Sequence, residues 1–346
     1  MGRLKLRRGV VASADPLEVE VEGERRRAWA DEVLLGEMRE GDEVVVNVAA
    51  LDLRLGSGGF DVVHVNLTRG LEGRAEGDAH VMKLNYTSLQ HPVEPVEEES
   101  VRLMSALRSK GAPLRVLVLP LHGHLAPAAW AAAQEAPGLR VGYVQTGGGA
   151  LPGSFSRDVK QLRERDLLAG HITAAPSYGG EHEALSTVGA LDAAAALDWD
   201  AALVGPGPGI IGSDTAYGHG GMAALDSAHA ALSLGLPTIL SPRLSSSDPR
   251  ERHLHLSHHT ATPLELLLGE VEVAMPTIEA AGSTEAERQL TRAVEGRHEI
   301  CPEPVDLESY AASGLPVTTM GRSIPEDPLF FASPLAAGTH LGRVAS

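Results

Sequence analysis

From about residue 114 onward the chain repeats one pattern: a short β-branched and aliphatic run, a Gly-, His- or Ser-rich loop, then an Ala- and Leu-rich stretch. Strand-length runs alternating with helix-length ones predict βαβ units, and so an α/β fold with a mainly parallel sheet flanked by helices. The strands fall at 115–120, 140–145, 171–175, 201–204 and 238–241, with helices between them at about 125–136, 154–169, 181–197 and 219–234. A further helix is placed after Thr262-Pro263, ending at Leu266 to Leu268, and a strand follows at 271–275. The tail from about 277 is expected to hold at least two more helices packed across the main domain.

The first part of the chain has a different character. Gly9-Val10-Val11, the alternating Leu17-Glu18-Val19-Glu20-Val21, and the runs at 43–48 and 60–66 read as short strands between turn signals such as Gly41-Asp42 and Gly56-Ser57-Gly58-Gly59. They predict a small barrel-like β-domain over 1–92, followed by an α/β domain with a helical C-terminal extension over 93–346. Between them, His91-Pro92-Val93-Glu94-Pro95 enters a helix whose buried face carries Val101, Met104 and Leu107.

A formal charge of −17 repels phosphate backbones and anionic lipid headgroups, which disfavours nucleic-acid and membrane binding. The basic start, Arg3, Lys5, Arg7 and Arg8, is read as the solvated face of a first strand. With 3% aromatics the core must be built from Ala, Val and Leu. Cys301 is the only cysteine, so no intramolecular disulfide or thiolate-rich metal site can form, and an inert structural thiol is expected. No apolar run reaches the roughly 18 residues of a membrane span and no secretion signal stands at the start, so the cytoplasm is the expected location.

In a parallel sheet, ligands bind beyond the carboxyl ends of the strands, where loops and helix N-termini gather. All five such loops here are polar or Gly-rich. The candidate ligand-binding residues are Gln145, Thr146, Gly147 and Gly148 after the second strand, and Gly205, Gly207, Gly209, Asp214 and Thr215 after the fourth. These loops can cradle an oxyanion with backbone N–H groups, or merely turn the chain. Neither a dinucleotide fingerprint nor a P-loop is present, and no cofactor is assigned.

The densest ionisable cluster is Arg250-Glu251-Arg252-His253-Leu254-His255-Leu256-Ser257-His258-His259. If 252–256 is extended, His253 and His255 share a face, and His122 and His124 have the same spacing. Either pair could bind a metal with help from Asp248 and His259, or the rings could be surface or capping histidines. Ser154 reads as a helix N-cap rather than a nucleophile, since no G-x-S-x-G elbow occurs. His258 and His259 are the candidate acid–base pair, with Arg243 or Arg322 as a charge clamp; Arg322 could instead pair with Glu326 or Asp327.

The segments Asn47-Val48-Ala49-Ala50-Leu51, 83–90, Thr146-Gly147-Gly148-Gly149-Ala150-Leu151-Pro152, Gly205-Pro206-Gly207, Ser257-His258-His259 and Thr319-Met320-Gly321-Arg322 together resemble a bacterial family catalogued as domain of unknown function 3866. The resemblance spans nearly the whole chain. It implies one integrated unit and a bacterial cytoplasmic setting, and it brings no catalytic residues with it.

These residues lead to the expectation of a hydrolase or transferase acting on a small anionic metabolite. The rival is a non-catalytic ligand-sensing or partner-binding protein, and a third reading is a homo-oligomeric scaffold built on the Ala-rich helices. Fold alone decides none of these.

Overall fold

The computed structural model describes residues 3–54, 58–73, 79–98 and 113–345. The chain divides into two compact units, Met1–Ala79 and His80–Ser346. Residues 80–92, grouped with the β-domain on sequence grounds, thus belong to the second unit. The helix expected around Val101, Met104 and Leu107 lies outside the described residues.

The first unit is a closed five-stranded barrel of β1 (Leu6–Ala14), β2 (Leu17–Val21), β3 (Glu24–Trp29), β4 (Glu43–Asn47) and β5 (Asp61–Asn66), in the order β1-β2-β3-β5-β4. The period-2 patterning sends Val19, Val21, Val44, Val46 and Val63 inward. Two single-turn helices, α1 (Glu32–Leu35) and α2 (Ala49–Asp52), lie in the connections. β3 escaped the sequence reading because Glu24-Arg25-Arg26-Arg27 shows no apolar alternation. Cross-strand charge holds it instead: Arg27 faces Glu18, Arg25 faces Glu20, and Arg26 reaches Asp61 and Asp52, each at 2.6 Å.

Asp42 is fully buried in this unit and accepts from Arg69 Nε, Asn66 Nδ2 and the Arg39 amide, each at 2.9 Å. The hydrogen bonds from Arg69, then those from Asn66 and Arg39, hold its carboxyl down at about 2 against the effect of burial. A carboxylate held below its unfolded value of about 3.9 contributes stability that is present above pH ~4 and lost as pH falls toward 2. Hydrogen exchange of the β4 and β5 amides is therefore expected to accelerate across that window. In Asp42→Asn this acceleration should be visibly weaker; an unchanged acid profile would dismiss the assignment.

The second unit opens with a two-stranded pair, β6 (Val81–Lys83) and β7 (His91–Val93). Its centre is an eight-stranded, all-parallel sheet. The strands are β8 (Arg115–Val118), β9 (Val141–Thr146), β10 (His171–Ala174), β11 (His182–Ala184), β12 (Ala201–Pro206), β13 (Thr238–Leu240), β16 (Glu272–Thr277) and β17 (Glu299–Pro304), in the order β11-β10-β9-β12-β8-β13-β16-β17. Two short antiparallel ribbons interrupt this series, β14 (Leu244–Ser245) with β15 (His255–Leu256), and β18 (Thr318–Thr319) with β19 (Arg322–Ser323).

A parallel sheet buried on both faces reads as near-continuous apolar runs, which is why these strands were legible. Along β8, Leu117 packs into one core with Leu125, Tyr310, Phe330 and Leu335, while Val116 and Val118 face another with Leu191, Ala228, Leu264 and Leu290. The first face is covered by α3 (Leu125–Glu135), α4 (Arg157–Glu164), α9 (Leu307–Ala312) and α10 (Pro328–Ala345). The second is covered by α5 (Thr187–Ala196), α6 (Met222–Ser233), α7 (His258–Leu266) and α8 (Ser283–Val294).

Three local expectations are corrected. Ser156, not Ser154, caps α4, accepting from the Val159 amide at 3.1 Å. The helix placed after Thr262-Pro263 begins at His258, because Ser257 caps it and Pro263 falls inside it. The tail also contributes β17, a strand beside the expected helices that carries Pro302 and Pro304; as the sheet edge it tolerates the lost donors.

Candidate functional site

The connections after β8 and β9 run through α3 and α4 on one face, whereas those after β12 and β13 run through α6 and α7 on the other. Because β12 lies between β8 and β9, neighbouring strands β8 and β12 send their chains to opposite faces. A crevice opens at such a switch point, at the carboxyl edge of the sheet. Here it is a cavity of about 470 Å³. Its wall is built from Leu121, His122 and Gly123 after β8, residues 208–213 after β12, Arg243, Arg250, Arg252 and His253 after β13, His259 of α7, Asp158 of α4, and Thr318, Thr319 and Met320 of the β18–β19 hairpin.

The basic wall is held from behind by two carboxylates that are completely buried, Asp248 and Asp327. Asp248 takes Arg250 NH2 at 2.8 Å, Arg322 NH2 at 3.3 Å and Arg243 NH2 at 3.5 Å. Burial works against the Asp248 carboxylate, but the hydrogen bonds and charges of Arg250 and Arg322 outweigh it and hold the carboxyl well below the usual range. Asp327 accepts from Arg322 Nε at 3.0 Å, Ser245 Oγ at 2.7 Å and the Ser246 amide at 2.7 Å. Three guanidiniums thus face two carboxylates, and Arg243, 3% exposed, keeps NH1 on His259 Nδ1 at 3.0 Å and its Nε without a partner.

Beside Arg243 four imidazoles pack together. The ring of His219 lies 4.5 Å from His258 and 4.3 Å from His259, and His253 lies 5.0 and 4.7 Å from the same two. Burial first, then neighbouring positive charge, pushes His253 to about 3, His258 to about 4 and His259 to about 2, so all three are neutral at pH 7. Desolvation also lowers His219. Hydrogen bonds fix two tautomers. His219 donates from Nε2 to the Ala216 carbonyl at 2.8 Å, leaving Nδ1 as a bare lone pair. Arg243 can only donate to His259 Nδ1, so the proton of that ring sits on Nε2.

The structure distributes the residues singled out from sequence unevenly. Arg243, Gly209 and His259 line the cavity, and His258 stands in the imidazole nest. Asp214 is exposed and pairs with Arg252 at 2.8 Å, and Thr215 bonds Ser213 Oγ at 2.7 Å within its own loop. Arg322 is engaged by Asp327 and Asp248, the alternative allowed for it. Gln145 donates to the Ala150 and Leu151 carbonyls from a fully buried position, and Thr146 is likewise buried. The loop glycines Gly148, Gly205 and Gly207 sit where backbones crowd, and Gly147 packs against the Pro176 ring: a Cβ on Gly207 would meet the Ala150 oxygen at 2.2 Å, and one on Gly205 the Leu119 oxygen at 2.8 Å.

The His-x-His pairs do not form. Glu251–His253 is a 3-10 turn rather than a strand, and His255 takes a left-handed φ of 61° that turns it toward Gly282 and away from His253. His124 is buried against Ser241 and Phe330, while His122 reaches Ser156 Oγ at 2.7 Å. Arg250 and Arg252 stand in the ionisable cluster visible in the sequence, but His219 and Asp158 carry no sequence signal as their partners, since they come from two other, distant segments.

Two other polar clusters lie outside the cavity wall. His340 bridges Glu272 and Glu303 at 2.6 and 2.9 Å, next to Cys301, whose thiol is pushed up to about 11 by burial and then by the adjacent carboxylates. Lys83, from the resembling segment, is buried with its ammonium on the Thr173 and Ser177 carbonyls, each at 2.7 Å, and on Glu183.

The family model described as Protein of unknown function (DUF3866) matches residues 27–338. The chain belongs to this family. The match runs from the last strands of the barrel unit through most of α10, so every residue of the cavity and the imidazole nest falls inside it. No curated protein and no solved structure matches the chain. Among the described residues no helix is long and apolar enough to cross a membrane.

Proposed function

We propose that this protein is an enzyme, a hydrolase or group transferase, acting on a small anionic metabolite seated in the switch-point cavity. The observation that carries this reading is charge. In a chain of formal charge −17, the wall holds the guanidiniums of Arg243, Arg250 and Arg252 against one acidic residue, Asp158, with His253 and His259 beside them as neutral imidazoles. A cationic recess in an acidic, low-dielectric surround concentrates field lines on an anion. Guanidinium forks match phosphate or carboxylate oxygens in pairs. His259 presents Nε2–H as a neutral hydrogen-bond donor on the cavity wall, and His258 beside it keeps a buried Nε2 without a protein partner.

Inorganic phosphate and pyrophosphate are expected to raise the melting temperature of the full chain, and sodium chloride of equal ionic strength is not. Arg250→Gln and Arg252→Gln should each weaken phosphate binding about tenfold or more, roughly 1.4 kcal/mol per decade. Equal binding in both variants and wild type would sink the assignment. The separate barrel, with its own apolar core, favours a second reading as a ligand sensor. Binding without turnover of phosphoesters or acyl phosphates would select it.

A further inference from the structure

We infer that His219, His258 and His259 form a site for a divalent transition metal of the zinc type, on the flank of the anion cavity. One ring nitrogen of each lies within 4.8 Å of one from each of the others. Tetrahedral Zn–N bonds of about 2.0–2.1 Å place ligand nitrogens about 3.4 Å apart, so nitrogens at the outer limit of that spread need to draw together by at most about 1.4 Å.

The nest already has the features of a ligand set. His219 Nδ1 and His258 Nε2 are buried and meet no hydrogen-bond partner, a condition they share with single nitrogens of His124, His171, His255 and His298, but among the described residues only here do such rings cluster with a third imidazole. His219 is 6% exposed, and its other nitrogen is fixed on the Ala216 carbonyl, the outer-sphere contact that orients a metal-binding histidine. The chain also makes room for the rings: a Cβ on Gly221 would stand 2.9 Å from His219 Nδ1 and 2.7 Å from His259 Cβ. His258 and His259 are consecutive at the start of α7, and the Ser257 cap holds that turn by accepting from the His259 amide at 3.2 Å.

Arg243 is the opposing element. For His259 to bind through Nε2, its ring proton must move to Nδ1, and Arg243 must then give up that nitrogen. The freed NH1 remains on the wall of the anion cavity. Loading the ion therefore costs the Arg243–His259 bond, which makes the site weaker than closed structural zinc centres, and it adds a guanidinium donor for the substrate. With three protein ligands the ion keeps a position for water, whose proton it would make easier to remove. What the ion does for catalysis rests on the cavity being an anion site; the ligand set itself does not.

The test uses the full chain without an affinity tag, stripped with chelator and kept in phosphate-free buffer. Co2+ is added while ligand-field absorption is followed, and Zn2+ is measured by competition with a chromophoric chelator. One equivalent of tetrahedral Co2+ is expected, with affinity at least tenfold weaker in His219→Gln and in His258→Gln, and unchanged in His255→Ala. Far-UV circular dichroism establishes that the variants fold. No stoichiometric Co2+ signal, or one retained by the folded His219→Gln/His258→Gln double variant, overturns the site. Phosphate binding by the chelator-stripped wild type, measured separately, decides the anion reading whichever way the metal result falls.

Discussion

Replacing Asp248 by alanine is expected to destabilise the second unit by about 3 kcal/mol, the low end of the cost of breaking a buried ion pair from one side. The carboxylate is 0% exposed and faces Arg243, which is 4% exposed in its side chain, and Arg322, at 15%. Without it, three guanidiniums share the single carboxylate of Asp327, and Arg243 loses the charge that compensates its burial. Arg250, at 40%, can turn to water, which keeps the expected loss from the upper end of that range. Urea unfolding should show a lowered midpoint with an unchanged slope. Asp248→Asn, which keeps acceptor oxygen but no charge, should fall between alanine and wild type. A loss below about 1 kcal/mol in Asp248→Ala would mean that the guanidinium cluster is not held by this residue. The cavity should also bind phosphate less selectively, since its arginines lose their common anchor.

Gly338→Leu is expected to cost about as much, about 3 kcal/mol, for a different reason. An ideal Cβ at Gly338 would stand 2.2 Å from the Ala128 carbonyl oxygen and 2.9 Å from Ala131 Cβ, so α10 and α3 touch backbone to backbone there. A main-chain oxygen inside a helix cannot move aside as a side-chain tip can. The two helices must separate, and the contacts around Ala132, Phe331 and Leu335 in the same core open with them. Thermal unfolding of the variant against Gly338→Ala separates the effects: alanine already forces the first displacement, and leucine adds volume. If both variants melted with wild type, the close approach of α3 and α10 would be refuted.

The alternation after residue 114 was a reliable guide because each strand of a doubly covered parallel sheet is apolar on both sides, and that condition is local. β9 and β12 illustrate it, each buried along its whole length. β3 and β17 were invisible for the complementary reason. One consists of charges satisfied only by neighbours across the barrel, and the other carries prolines acceptable only at a sheet edge. The glycines after β9 and β12 were rightly conspicuous, but at Gly205 and Gly207 their requirement is close backbone packing.

Sequence by itself determined that the chain forms a β-barrel unit and a parallel α/β unit, that it belongs with its family, and that chemistry should gather at the carboxyl ends of the strands. Those features follow from periodicity, turn chemistry and motif order, which are short-range. Tertiary structure decided which loops converge. Strand order alone brings the segments after β8, β12 and β13 to one crevice, whose wall does not include Gln145 and Thr146. The choice between His255 and His219 as the neighbour of His258 was likewise out of local reach. A left-handed φ at His255 turns one ring away, and the return of the 207–221 loop delivers the other from a distant part of the chain. Side-chain convergence depends on the path of the backbone through space, and spacing along the chain carries little of that path.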